Sequence, residues 1–297
     1  MCRWLVYSGS PVPLEAFLYQ PEHSLIDQSL NSRLGTHTTN GDGFGIGWYG
    51  AEADEPALYK GINPAWNDHN LRELSRHIRS GTIFAHIRAS TGTPVQYTNC
   101  HPFRHGRWLW MHNGQIDHFA RVKRELMLAV DPELFPQIRG SSDTETFFFL
   151  ALTFGLERDP PAAVARAVGF IEAVCERHGI ADAMRMSVAV SDGRSAWAFR
   201  YSSEGIPPSL YYSTKVATLR QQLPDISIFH TLSDQSRLIV SEPLGELAGA
   251  WNEVPASTVA VIHDGEDELR AFEPAREAIG QTGAIGRPEG MAARGPS

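Results

Sequence analysis

The chain has 297 residues, 42% of them hydrophobic and 20% charged, which is an ordinary composition for a globular protein that buries a full core. A formal net charge of −8 excludes the basic surface that nucleic acid or an anionic membrane requires, so we expect a small-molecule substrate. Three cysteines without a CxxC pair (Cys2, Cys100 and Cys175) and no apolar leader or membrane-spanning run predict a cytoplasmic protein.

The first part of the chain alternates predicted strands and helices. In chain order we predict a strand at 3–8 ended by Gly9-Ser10-Pro11, a short helix at 13–19, an apolar segment at 25–30, a helix at 67–78, and strands at 82–88 and 108–112. The segment 40–49 has glycine at alternate positions and leads into a strand, which places its backbone against a ligand or another strand. It lacks the Lys-Ser/Thr of a phosphate-binding loop.

The second part begins with helices and continues with strands. We predict helices at 117–130, from Ser142 onward and at 161–178, followed by strand-like runs at 186–190, 196–200, 210–213, 238–240, 258–263 and 269–272. This order favours sheets packed face to face between helical layers. From residue 273 onward Gly, Pro, Ala and Arg dominate, so we expect a disordered tail at 273–297.

Cys2 follows the initiator methionine, and its small side chain predicts that Met1 is removed. Removal would place a free α-amine on the residue that carries the thiol. An α-amino group titrates at about pKa 7.7–8.0, so it can accept the thiol proton directly or through a water. On position alone, a small buried residue in the first strand is the favoured interpretation, and only the other motifs reverse it.

Three further motifs each have a structural explanation when taken singly. Asn113-Gly114 after an apolar strand is the commonest signal for a two-residue hairpin. Ser142 with Glu145 three residues later has the pattern of a helix capping box. Arg88 ends a predicted strand and is compatible with a surface position.

Taken together with Cys2, these motifs resemble the glutaminase domain of the class II glutamine amidotransferases, which are N-terminal-nucleophile (Ntn) hydrolases. The matching segments, in the family's order, are Met1-Cys2, His86-Ile87-Arg88-Ala89-Ser90-Thr91, Asn99-Cys100-His101-Pro102-Phe103, His112-Asn113-Gly114 and Ser142-Asp143-Thr144-Glu145. The resemblance implies an α+β fold of four layers (αββα), with two stacked, mostly antiparallel sheets between helical layers. It covers residues 2–272 as one glutaminase domain and leaves 273–297 as the tail.

The resemblance implies catalytic roles for three residues. Cys2 would attack the γ-carbonyl of glutamine or another γ-glutamyl compound, with its α-amine acting first as base and then as acid. The intermediate would be a thioester on Cys2. The side-chain amide of Asn113 and the backbone N–H of Gly114 would hold the oxyanion.

The resemblance also implies substrate-binding roles. The planar guanidinium of Arg88 suits the substrate α-carboxylate because it can bind both oxygens. Asp143 suits the α-ammonium group, and Thr91 matches a family position that also contacts glutamine.

The chain is most similar to a stand-alone branch of this family, which includes γ-glutamyl-hercynylcysteine sulfoxide hydrolase and glutathione-degrading homologues. The segments that carry this similarity are Met1-Cys2-Arg3, Asn40-Gly41-Asp42-Gly43-Phe44-Gly45 and Ser241-Glu242-Pro243-Leu244 followed by Trp251. The glutaminase domain accounts for nearly all of the ordered chain, so either a partner synthetase receives the ammonia or the reaction is simple γ-glutamyl hydrolysis. We expect no cofactor and no binding to nucleic acid or membrane. Assembly as a homo-oligomer is left open.

Two other functions compete with this one. A metallohydrolase would use four histidines that lie close together in sequence, but the HExxH pairing is missing; they are His86, His101, His105 and His112. A non-catalytic module that senses glutamine would keep Arg88 and Asp143 but could lose the thiol, and the chain retains all three groups.

Overall fold

Two antiparallel sheets and eight α-helices make up the part of the chain that the computed structural model describes, which is residues 2–34, 39–51, 53–90, 92–222, 225, 228–263 and 266–276. The strands are β1 (Arg3–Pro13), β2 (Phe44–Trp48), β3 (Ala57–Gly61), β4 (Arg79–Ile87), β5 (Phe103–His105), β6 (Trp108–Ile116), β7 (Met184–Ser191), β8 (Ser195–Ser202), β9 (Tyr211–Ser213), β10 (Arg237–Val240), β11 (Trp251–Glu253), β12 (Thr258–His263) and β13 (Glu266–Ala271).

The helices lie on the outer faces of the two sheets. They are α1 (Glu15–Leu18), α2 (Leu25–Leu30), α3 (His69–His77), α4 (Phe119–Leu128), α5 (Asp143–Thr153), α6 (Pro160–Arg177), α7 (Val216–Gln222) and α8 (Ile228–Thr231). Short 3-10 turns occur at Ala65–Asn67, Tyr97–Asn99 and Phe135–Gln137. Within the described residues, none of the helices has both the length and the apolar character to cross a bilayer.

Both sheets are antiparallel throughout. The first has the strand order β11-β9-β10-β1-β4-β2-β3, and the second has the order β13-β12-β8-β7-β6-β5. The central strand β1 is paired on one side with β4 and on the other with β10, so the start of the chain lies in the middle of the first sheet. A strand in this position is held on both edges, which fixes the direction of its first residues.

The strands at the centre of each sheet are buried on both faces. Along β1, Trp4 and Val6 pack into the core between the sheets, whereas Leu5 and Tyr7 pack under the helices. This alternation follows from the two-residue period of a strand. In the second sheet, Leu109 and Met111 of β6 face the first sheet. Trp108 and Trp110 of the same strand face α4, α5 and α6.

The result is the four-layer αββα arrangement that the family resemblance implies. Helices α1, α2, α3, α7 and α8 cover the first sheet, and α4, α5 and α6 cover the second. Helix α5 is buried on most sides because three consecutive phenylalanines, Phe147, Phe148 and Phe149, all reach the core.

The predicted helices and strands are confirmed with shifted boundaries, but two strand ends are wrong. β1 continues through Gly9-Ser10-Pro11 to Pro13, with an irregular register between Ser8 and Val12 that accommodates the glycine and proline. β6 does not stop at Asn113-Gly114 but runs on to Ile116 and stays paired with β7. The short strands β3, β5 and β11 and the helices α7 and α8 carry too little pattern to be predicted.

The chain after β13 is described as far as Arg276. The backbone N–H of Ala275 donates to the carbonyl of Ala165 in α6 at 2.9 Å, and the guanidinium of Arg276 lies 3.5 Å from Glu176. The rest of the predicted tail lies outside the described residues, so its disorder stays a prediction.

Candidate active site

Cys2 lies immediately before β1 and faces the residues that follow β4. The pairing of Arg3 with Ile87 brings the sulfur of Cys2 close to Ala89. The backbone N–H of Ala89 donates to Cys2 Sγ at 3.4 Å, and the carbonyl oxygen of Ala89 lies 3.5 Å from the same sulfur. Burial raises the pKa of the Cys2 thiol. A protonated thiol is a poor nucleophile, so this sulfur needs a base close at hand.

Four of the six predicted site residues line one cavity of about 430 Å³. Cys2, Arg88, Gly114 and Asp143 all contribute to its wall. Asn113 lies next to Gly114 but is not part of the wall. Thr91 lies outside the described residues. Four motif residues that are distant in sequence therefore lie at one pocket, and the pocket has the size that small ligands occupy.

Arg88 is a buried cation held by neutral acceptors. Its guanidinium donates to the carbonyls of Asp42 and Pro94 at 3.4 and 3.2 Å, to Ser90 Oγ at 3.0 Å and to Thr93 Oγ1 at 2.6 Å. Among the described residues no carboxylate forms an ion pair with it. A buried guanidinium without a protein counter-ion is suited to binding an anion in the adjoining cavity.

Asp143 is the first residue of α5. Its Oδ2 accepts the backbone N–H of Ile116 at 2.9 Å, and its Oδ1 accepts the N–H of Thr144 at 2.8 Å. No described lysine or arginine forms an ion pair with this carboxylate. A carboxylate that is oriented by backbone donors and faces a cavity can accept an ammonium group there.

The motif around Asp143 is only half a capping box. Ser142 Oγ accepts the N–H of Glu145 at 3.3 Å, as the sequence predicts. The carboxylate of Glu145 does not return this bond but accepts the N–H groups of Arg139 at 3.0 Å and Gly140 at 2.6 Å. A full capping box would have Glu145 accept the backbone N–H of Ser142. This part of the prediction is wrong, because the Glu145 carboxylate binds the backbone of the preceding loop instead.

Asn113 and Gly114 lie inside β6, and the predicted hairpin is wrong. Gly114 has φ of +149°, and a Cβ on it would lie 1.9 Å from the carbonyl oxygen of Arg185 on the neighbouring strand. Only glycine fits this position. The Asn113 side chain is 2% exposed, and its Nδ2 has no hydrogen-bond partner within the described part of the chain. A buried, unused donor beside a cavity is a candidate for a ligand contact.

Asn99 also lies at the site, although its motif predicts no role for it. Its Nδ2 donates to the carbonyl of Pro94 at 3.0 Å and to Ser141 Oγ at 3.1 Å, and its Oδ1 accepts the Ser141 N–H at 2.8 Å. It lines the cavity and ties the loop that covers Arg88 to the loop before Asp143. Its only signal in the sequence is its place in the matching segment 99–103.

The glycine-rich segment 40–49 packs against other strands. β2 is paired with β3 on one side and with β4 on the other. A Cβ on Gly45 would lie 2.0 Å from the carbonyl oxygen of His101, so the crossing chain requires glycine there. Just before β2, Asp42 Oδ2 accepts the N–H of Ser90 at 2.7 Å, which supports the loop over Arg88.

Each of the four histidines that lie close together in sequence has a hydrogen-bond partner within the protein, and two of them are partners of each other. His86 Nε2 and His101 Nδ1 lie 2.8 Å apart, and His112 Nδ1 is 3.0 Å from Thr144 Oγ1. His105 Nδ1 is bonded to Gln137 at 2.9 Å. Burial lowers the pKa of His86 to about 3 and the pKa of His101 well below its ordinary value. In the described ranges, no group of three or more His, Cys, Asp or Glu residues is arranged to hold a metal ion.

Comparisons with known proteins agree on one family. A family model described as glutamine amidotransferases class-II matches residues 22–282. The chain is 33% identical over 292 residues to the probable glutamine amidotransferase DUG3 of Saccharomyces cerevisiae, covering 88% of this chain and 82% of that protein. It is 32% identical over 119 residues to the γ-glutamyl-hercynylcysteine sulfoxide hydrolase of Mycobacterium tuberculosis, covering 39% of this chain and 50% of that protein.

A solved structure supports the same relationship at the level of the fold. The glutamine aminotransferase class-II domain protein from Silicibacter pomeroyi is 35% identical and superposes with a TM-score of 0.70. The match covers 92% of this chain and 100% of that one.

Proposed function

Since this chain belongs to the class II glutamine amidotransferase family, we propose that it cleaves a γ-glutamyl amide through a thioester on Cys2. At the coarser level the chain is an enzyme of γ-glutamyl amide hydrolysis or transfer. The observation that carries the finer proposal is the single cavity shared by Cys2, Arg88, Gly114 and Asp143.

The reaction begins with removal of Met1, which frees the α-amine of Cys2. This amine takes the thiol proton, and the sulfur attacks the γ-carbonyl carbon of the substrate. The tetrahedral intermediate collapses to the thioester as the same amine returns the proton to the departing nitrogen, which leaves as ammonia or an amine. Water, deprotonated by the amine, then attacks the thioester, releases glutamate and restores the thiol.

The negative charge on the carbonyl oxygen is stabilised by two donors. These are the Nδ2 amide of Asn113 and the backbone N–H of Gly114. The support for Asn113 is its buried Nδ2, which has no hydrogen-bond partner within the described residues. Asn113 itself does not line the cavity, so this role requires its side chain to turn towards the wall that Gly114 lines.

The amino-acid end of the substrate is bound by two opposite charges. Arg88 binds the α-carboxylate and exchanges some of its neutral acceptors in the loop at 90–94 for the charged ligand. Asp143 binds the α-ammonium group. Thr91 is a third proposed contact, on the basis of its position in the family motif alone.

The leaving group is the part of the substrate that the family does not determine. The cavity is also lined by Phe119, Ala120 and Lys123 at the first turns of α4, which adds wall beyond the residues that bind the glutamyl group. This supports γ-glutamyl compounds with leaving groups larger than ammonia, although glutamine remains a candidate. Transfer of ammonia to a partner synthetase, assembly as a homo-oligomer and a cytoplasmic location stay predictions.

The test is turnover on a panel of glutamine, glutathione and γ-glutamyl thioether sulfoxides, measured as glutamate release. We expect release from at least one compound and none above background from Cys2→Ala. Calorimetry should show that Cys2→Ala still binds the compound that the wild type cleaves, because Arg88 and Asp143 are intact. Turnover by Cys2→Ala at the wild-type rate would refute the proposal.

A further inference from the structure

The motif Ser241-Glu242 lies directly beside the first residues of the chain, and the proposed reaction does not use it. Ser241 follows β10 and is hydrogen-bonded to the backbone of Trp4 in β1 through both its own backbone and its hydroxyl. The Trp4 N–H donates to Ser241 Oγ at 2.9 Å, and the Ser241 N–H donates to the Trp4 carbonyl at 3.0 Å. These bonds place Glu242 next to Arg3.

The side chain of Arg3 links the nucleophile to Glu242. Its Nε lies 2.7 Å from Glu242 Oε2, in an ion pair whose partners are 0% and 2% exposed. Its Nη1 donates to the backbone carbonyl of Cys2 at 3.0 Å, and its Nη2 donates to Ser32 Oγ. One guanidinium therefore connects the peptide plane of Cys2 to a buried carboxylate.

Glu242 is held in place by further donors. Its Oε1 accepts the N–H of Arg33 at 2.8 Å and faces His23 Nε2 at 2.5 Å, and its Oε2 accepts the N–H of Leu34 at 2.9 Å. Burial opposes ionisation of this carboxyl, but the bonds from His23, Arg33 and Leu34 and the charge of Arg3 together lower the pKa of Glu242. An ionised, multiply bonded carboxylate is a rigid anchor.

His23 and Gln28 secure the opposite side of this anchor. His23 Nδ1 lies 2.7 Å from Asp27 Oδ2, so the imidazole bridges two carboxylates. Gln28 Nε2 donates to the carbonyls of His23, Glu242 and Pro243 at 3.1, 3.2 and 3.2 Å. Helix α2 and its flanking residues thereby fix the segment that carries Glu242.

We propose that Arg3, Glu242 and His23 form a positioning network that holds Cys2 in its attacking geometry. The inference rests on the proposed function, in which Cys2 is the nucleophile. These residues do not touch the substrate. They act through the Cys2 carbonyl: the bond to it holds the Cys2–Arg3 peptide plane and with it the Cys2 Cα, from which the α-amine and the Cβ–Sγ bond extend.

A chain terminus needs such a restraint. After removal of Met1, Cys2 is the first residue, and strand pairing begins only with Arg3 and Ile87. Terminal residues that nothing ties down are mobile. Displacement of a reacting group by 1 Å costs on the order of 10²-fold in rate, so a bond on the Cys2 carbonyl has a direct catalytic consequence.

Glu242→Gln is the principal test, because it removes the charge and keeps the shape. We expect kcat to fall by about 10-fold to 100-fold, while KM stays within about twofold because Arg88 and Asp143 lie outside the network. The kinetics are measured on the full-length processed protein below its melting temperature and are normalised to the folded fraction.

Asp267→Asn is the matched control. Asp267 forms an ion pair with the buried Arg237 at 3.0 Å, and Arg237 is the first residue of β10, at the opposite end of this strand from Ser241-Glu242. The substitution makes the same acid-to-amide change in an ion pair whose arginine is buried and whose carboxylate is 26% exposed, on β13, which pairs with β12 and not with β1. We expect it to lower stability and to leave kcat of the folded protein unchanged.

His23→Gln decides the case in which Glu242→Gln does not fold. It keeps one N–H donor near Glu242 and loses the bridge to Asp27, so we expect a smaller loss of kcat with the same unchanged KM. The inference is overturned if the wild type is active and a folded variant, Glu242→Gln or His23→Gln, has the same kcat as the wild type. It is also overturned if the variant differs from the wild type only by a higher KM. A wild type that is inactive on the whole substrate panel overturns the proposed function itself and this inference with it.

Discussion

The Asn113 amide combines two properties that are rarely found together: it is buried, and its Nδ2 has no hydrogen-bond partner among the described residues. Leaving a buried donor unpaired costs stability, so the arrangement is understandable if the donor is used during the reaction. The proposed use is to stabilise the oxyanion.

Asn113→Ala should therefore lower kcat by about 10²–10³-fold with little change in KM, because the charge it stabilises develops only in the transition state. Steady-state kinetics on the preferred substrate measure this. Asn252→Ala is the control, since Asn252 is an exposed amide that donates to Thr214 Oγ1. Equal kcat in the wild type and Asn113→Ala would remove this residue from the mechanism.

At the scale of single residues, the sequence predicts the location of a site residue best where a short motif identifies it. Cys2, Arg88, Gly114 and Asp143 all line one cavity, and their roles stay predictions. Asn99 could not be assigned, because its value lies in bonds to Pro94 and Ser141 that depend on how two loops meet. Local sequence contains no information about such a meeting.

At the scale of the element, β6 shows how a turn signal fails. Asn-Gly favours a hairpin when the flanking segments pair with each other, but β6 pairs with β7, and the glycine is needed for close approach to Arg185. The strand therefore continues through the motif and delivers Gly114 to the cavity. Pairing with a distant strand overrides the local preference.

Gly114→Ala should destabilise the protein by more than the ~1 kcal/mol typical of a glycine substitution, because the added Cβ collides with backbone and the positive φ disfavours alanine. Urea denaturation measures the change in the free energy of unfolding. Gly245→Ala is the control, because nothing lies within 4 Å of a Cβ at that position. Equal stability of the two variants would contradict the close packing of β6 on β7.

At the scale of the whole molecule, distant segments of the chain converge on its first residues. Trp4 and Ser241 are bonded although they are 237 residues apart in sequence. The layered architecture could be predicted from the order of strands and helices together with the family resemblance. The network around Arg3 could not be predicted. Nothing in the motif Met1-Cys2-Arg3 or in the motif Ser241-Glu242 indicates that the two segments are neighbours in the fold.

The buried histidines predict how stability depends on pH. Burial lowers the pKa of His86 and of His101 in the folded protein, whereas an unfolded histidine titrates at about 6.5. Below that pH the unfolded chain binds more protons, so the free energy of unfolding should fall from about pH 6.5 towards the folded pKa, by at most ~1.4 kcal/mol per pH unit for each histidine.

Urea titrations between about pH 8 and pH 5 measure this slope. His86→Gln should reduce the slope, and His69→Gln should leave it unchanged because His69 is exposed. A free energy of unfolding that is constant or rises as the pH falls through this range would show that the histidines are not buried as neutral groups.

The central claim is that Cys2 is an N-terminal nucleophile that carries the γ-glutamyl group. Acid quenching during turnover, followed by peptide mapping with mass spectrometry, tests it most directly. The account predicts that the N-terminal peptide begins at Cys2 and carries one glutamyl group that hydroxylamine removes. A turning-over enzyme that retains Met1, or that carries the glutamyl group on Cys100 or Cys175 instead, would contradict it.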